Sequence, residues 1–90
     1  MVSATEIERA TSTDIMGVYR GGLDGFCWDI SESWSSCGAH YKIGVSRVGV
    51  RGSRKSIATR ARWRNAAQII ADYINNVLET ENKNGKQRQA

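Results

Sequence analysis

Apolar and polar positions alternate through the first two thirds of the chain and give way to a helical stripe in the last third. Residues 26–32 show the alternation most cleanly. Phe26, Trp28 and Ile30 share one parity and Cys27, Asp29 and Ser31 the other, the period of a strand buried on one face. Residues 15–21 predict a preceding strand, joined to it as a hairpin by the tight turn Gly22-Leu23-Asp24-Gly25, whose glycines accept positive φ. Residues 33–39, rich in small residues, predict a loop. Residues 40–50 alternate again, but Val48 and Val50 have the opposite parity to Tyr41, Ile43 and Val45, so a bulge near Ser46-Arg47 is expected. A turn at residues 51–55 leads to a fourth strand over 56–64, where Ile57, Thr59, Ala61 and Trp63 alternate with Ala58, Arg60, Arg62 and Arg64. Read as helix, Ser56 to Leu78 would form one long helix with arginines on several faces. The period-two arginines and the capping signal after them favour the strand.

That signal is Asn65 at an N-cap with Gln68 three residues on. Ala66, Ile70, Tyr73, Ile74, Val77 and Leu78 then form an apolar stripe, with Asp72, Asn75, Asn76 and Glu79 toward water. Ser3 and Glu6 have capping-box spacing and predict a short N-terminal helix, and residues 11–14 a turn. Residues 80–90 have nothing to bury and are expected to be a disordered polar tail. The expected fold is therefore α+β: an antiparallel sheet of three or four strands packed against one C-terminal helix, in a single domain over residues 1–79.

Composition narrows the class. The 90 residues are 40% hydrophobic and 24% charged, ordinary for a globular domain. No stretch approaches the roughly 18–20 apolar residues of a membrane span, and the first residues lack a signal peptide's basic and apolar regions. A cytoplasmic setting follows, with Cys27 and Cys37 as free thiols. Net charge is +4, and its distribution says more than its size. Residues 1–39 carry six acids and two bases; residues 40–64 carry eight bases and no acid; residues 65–90 carry three of each. A block so charged attracts polyanions; neutralisation by the acidic half, in one chain or in a homodimer, is the alternative.

Within that block, Arg60, Arg62 and Arg64 would form a ladder on one strand face, joined by Lys42 and Arg47 from the neighbouring strand. Guanidinium forks suit phosphates and guanine edges. Arg51, Arg54 and Lys55 occupy a turn able to clamp a phosphate backbone through its N–H groups. Trp34, among serines, is a stacking platform if exposed and core if tucked beneath the loop; the shortage of apolar mass favours core. Cys37 and His40, with Cys27 as third ligand, fall short of the four ligands of structural zinc, so no metal or other cofactor is expected. With a single histidine and no orienting acid near it, no catalytic site is expected and the chain is not read as an enzyme.

Gly17-Val18-Tyr19 followed by Phe26, Trp28 and Ile30, in the order strand, strand, strand, helix, is similar in outline to the sheet-type DNA-binding domains of plant Apetala-two factors and of integrase arm-binding modules. That resemblance implies a basic sheet laid on DNA; residues 46–56 depart from it. The order helix, three strands, helix also resembles double-stranded-RNA-binding domains, but Asn65-Ala66-Ala67-Gln68 stands where they carry lysines. The expectation is a small nucleic-acid-binding protein, DNA before RNA. The second reading is a protein-binding modulator or inhibitor of a host complex, of phage or plasmid accessory type, using the same basic patch against an acidic protein surface.

Overall fold

Ser3 opens the first helix, α1 (Ala4–Arg9), by accepting the Glu6 N–H on its hydroxyl at 3.3 Å, as the capping-box spacing predicts. The computed structural model describes residues 1–13 and 17–89, with side chains through Asn82. After α1 come β1 (Thr11–Thr13), β2 (Tyr19–Leu23), β3 (Phe26–Ser35), β4 (Gly38–Arg47), β5 (Lys55–Ala61) and α2 (Trp63–Gln89). The strands form one sheet in chain order, each antiparallel to the next. The class is the expected α+β; the sheet has five strands rather than three or four.

The additional strand is β1, at the predicted turn. Thr11 anchors it: its hydroxyl donates to the Ile7 carbonyl at 2.6 Å and accepts the Trp28 indole N–H at 2.9 Å. Ile15 and Met16 of the predicted first strand lie outside the described residues, and β2 begins at Tyr19. Its turn is tighter than expected. Gly22 and Leu23 still pair with Cys27 and Phe26, leaving Asp24 (φ 52°) and Gly25 (φ 84°) as the two turn residues, the arrangement that suits a right-twisted hairpin.

The predicted loop 33–39 is instead part of a long β3–β4 hairpin turning at Ser36-Cys37. Helix α2 does not cover that end, and both faces meet water at Trp34 and Ser35. Alternation there has no apolar partner to reveal it. Past Arg47 the chain leaves the sheet, so Val48 and Val50 are exposed and no bulge at 46–47 is required. Ser53 folds this connection by accepting the Arg47 N–H and donating to the Val50 carbonyl, both at 2.8 Å. The irregularity falls on β5, whose register to β4 shifts between Tyr41 and Ile43 and again between Ile43 and Gly44.

The strand expected over 56–64 ends at Ala61, and α2 starts at Trp63. Asn65 is thus inside the first helical turn, donating its N–H to the Arg62 carbonyl at 2.9 Å, rather than capping it. Trp63 sets this earlier start by placing its ring beside Tyr19 (centroids 4.5 Å) and Tyr41 (5.2 Å). Ala66, Ile70, Ala71 and Ile74 bury against Phe26, Trp28, Ile30, Ile43 and Val45, with Ile7 and Val2 closing the side. Asn75, predicted to face water, pins the N-terminus: its amide group accepts the Val2 N–H and donates to the Val2 carbonyl, both at 2.8 Å. Helix α2 carries the backbone on to Gln89. Among the described residues no helix is long and apolar enough to cross a membrane.

Gly21 is required by a close approach of backbone and ring. A Cβ there would run into the Ala10 carbonyl oxygen and the Trp28 indole, neither of which can move without disturbing the core. Gly21→Ala is expected to lose about 1–3 kcal/mol, the usual cost of overpacking, measured by urea denaturation.

Candidate functional site

Both helices lie on the face of the sheet that carries Phe26, Trp28 and Ile30. The opposite parity forms a second face. The register lines up Arg20, Asp29, Gly44 and Ser56 across β2 to β5, and Ser31 with Lys42 and Ser33 with His40 along the hairpin. Arg54 reaches back over this face. Its guanidinium donates to both Asp29 carboxylate oxygens, at 2.7 and 3.0 Å. It lies so close over Gly44 that a Cβ there would collide with it. The hydrogen bonds, then the charge of Asp29, raise the Arg54 pKa further above its ordinary value.

The two sides differ in the balance of their charges, with most exposed acids on the helix side, where Arg9, Arg47 and Arg64 also lie. On the helix side Glu6, Glu8, Asp72, Glu79 and Glu81 are exposed. On the open face Asp29 is the single acid among the described residues, bound by Arg54, while Arg20, Lys42 and Arg60 are exposed there. Lys42 lies opposite the shifted part of β5 that contains Arg60.

The eight cations of residues 42–64 are accordingly divided. Lys42 and Arg60 share the open face. Arg51, in the connection, and Lys55, at the start of β5, are exposed at one margin. The predicted ladder does not run up one strand: Arg60 is in β5, Arg62 lies between the elements and Arg64 is in α2, so the three curve around the sheet margin. Arg47 points to the helix side. Its guanidinium sits 4.6 Å from the Phe26 ring centroid and pairs with the Glu81 carboxylate. The hydrogen bond from Arg47 holds the Glu81 pKa below its ordinary value, against a smaller opposing effect of burial.

Trp34 is 73% exposed near the hairpin turn rather than in the core. Cys27 sits at the other end of the hairpin, 2.9 Å from the Ser46 hydroxyl, and Cys37 is in the turn. The eight strand steps from Cys27 to Ser35, about 26 Å, keep the two thiols from sharing a disulfide or a metal. Both are free, and the described residues hold no grouping of three His, Cys, Asp or Glu side chains suited to a metal.

Three features escaped the sequence. Arg20 stands directly across from Asp29 on the open face. Tyr19, Trp63 and Tyr41 form a chain of rings where α2 meets the sheet. Burial first, then the Glu32 and Tyr19 charges, raise the Tyr41 pKa and keep its phenol neutral. Beside Tyr19 and Trp63, between α1, β1 and the start of α2, opens a cavity of about 540 Å³. Only the parity of Arg20 relative to Asp29 was available in advance; the rings and cavity depend on where α2 begins. Compared with known proteins, the chain matches no family model, no curated protein and no solved structure.

The Arg47–Glu81 pair has a definite pH signature. Because the Glu81 pKa is lowered, its contribution is full above the ordinary glutamate value of about 4.3 and is lost as pH falls through the lowered one. The stability gap between the parent chain and Glu81→Gln is expected to narrow over that acid range, as read by thermal melting across pH.

Proposed function

We propose that the chain binds nucleic acid, DNA before RNA, through the open face of its sheet. The observation that supports this best is the difference in charge between the faces: Arg20, Lys42, Arg54 and Arg60 against Asp29 alone on the face without helices, and most of the exposed acids on the face with them. Such a dipolar surface orients a polyanion during encounter. A two-stranded ribbon fits the major groove of B-DNA, about 12 Å wide, and the β3–β4 hairpin offers one with Lys42, Ser31, Ser33 and His40 along its outer face. The major groove of duplex RNA is too narrow for that approach. In this reading Lys42 and Arg60 make the central contacts, Arg51 and Lys55 hold the backbone at one margin, and Arg62 and Arg64 at another. Arg54 spans both roles, bound to Asp29 yet 55% exposed. Arg47 is assigned to the fold.

One observation favours the second reading, a protein-binding modulator. Trp34 at the hairpin end is the kind of exposed aromatic that anchors a protein interface. Such a chain would bind bare nucleic acid weakly and lose its protein partner on Trp34→Ala.

Fluorescence anisotropy with labelled duplex DNA, single-stranded DNA and duplex RNA separates the two. The expected result is binding of duplex DNA with a steep salt dependence, whose slope falls by about one unit for each phosphate contact removed in Lys42→Ala and Arg60→Ala. Arg47→Met leaves the slope unchanged. Absence of binding to all three at about 50 mM salt, where the electrostatic attraction is strong, overturns the proposal.

A further inference from the structure

We infer that the cavity beside Tyr19 and Trp63 receives a single unpaired nucleobase, so that the preferred target is a strand or duplex with one base out of the stack. This rests on the nucleic-acid reading and names the form of nucleic acid it favours. The cavity's volume, about 540 Å³, is in the ordinary range for small-ligand sites, roughly 300–1,000 Å³. The Trp63 ring, packed against two tyrosines, is still 48% exposed, and with Tyr19 and Ile30 it lines the cavity. Bases of any identity stack on such rings.

The polar lining distinguishes a base from other flat ligands. Glu8 and Arg64 both line the cavity. The Glu8 carboxylate repels phosphate and accepts N–H groups, which bases carry on their edges. The Arg64 guanidinium suits the phosphate of the same nucleotide. The site is also continuous with the proposed interface. One residue, Arg62, separates β5 from α2. Arg60, Arg62 and Arg64 therefore mark a path for a phosphate backbone from the open face to the cavity.

Two measurements test this. In a Trp34→Phe background Trp63 is the one exposed indole, Trp28 being buried. Deoxyguanosine monophosphate is expected to quench its fluorescence, and deoxyribose 5-phosphate, which carries the charge without the base, is not. Arg64→Ala, which leaves the ring packing untouched, weakens monophosphate binding without unfolding the chain. Equal responses to the two phosphates, or monophosphate binding unchanged by Arg64→Ala, overturn the site.

The second measurement compares a fully paired duplex with one containing a single unpaired base. A preference of about tenfold is expected, equivalent to about 1.4 kcal/mol and within the range of one base–aromatic stack, and it disappears in Trp63→Leu. No preference overturns the inference while leaving the sheet face as the duplex surface. Monophosphate quenching and capture of the unpaired base without any paired-duplex binding would uphold the base site and remove the sheet-face reading.

Discussion

A single amphipathic helix can cover one face of a sheet. Here the apolar stripe Ala66, Ile70, Ala71 and Ile74 is set against Phe26, Trp28, Ile30, Ile43 and Val45. Strand geometry sends every neighbouring residue to the other side, so Arg20, Asp29, Lys42 and Ser46 are committed to water by the same choice that builds the core. A second layer would need a second stripe, and the short α1 packs beside α2 rather than across the sheet. The open face is therefore a direct result of how little apolar surface the chain has. Its polar character follows from burial on the opposite side.

Arg54 and Asp29 show how that face is finished. Gly44 leaves a gap in the row of side chains, and the Arg54 guanidinium lies over it, held by two hydrogen bonds to Asp29. The carboxylate that would interrupt a positive surface is thereby neutralised and the backbone beneath it covered. Arg47 does the corresponding work on the other side, bridging the Phe26 ring and Glu81. Chemically identical side chains seven residues apart serve opposite faces because Arg47 ends β4 on the core parity, while Arg54 returns from the connection on the other side.

Much of this order is legible in the sequence where one face is buried. The alternation of Phe26, Trp28 and Ile30, the Asp24-Gly25 turn and the stripe of α2 each follow from a single hydrophobic environment. Legibility fails where that environment changes. The outer half of the β3–β4 hairpin has water on both faces, so Ser33 and Ser35 resemble a loop. In β5 the register shifts break the parity on which an arginine ladder depends. The start of α2 is fixed by Trp63 meeting Tyr19 and Tyr41, two strands distant from each other, and a local capping signal at Asn65 cannot register so remote a contact. The block of cations was plain in the sequence. Its division between two faces required knowing the direction in which each strand ends.

The two outer strands settle how the sheet stops. An uncovered edge with regular spacing invites another strand to pair with it, and chains with such edges join into ribbons. At one margin β1 is only three residues long. At the other, β5 changes register twice and carries Lys55 and Arg60. Among the described residues, neither of these two strands offers the long, even row of donors and acceptors that a neighbouring chain would need. The same irregularity that disorders the arginine spacing thus guards against edge-to-edge polymerisation.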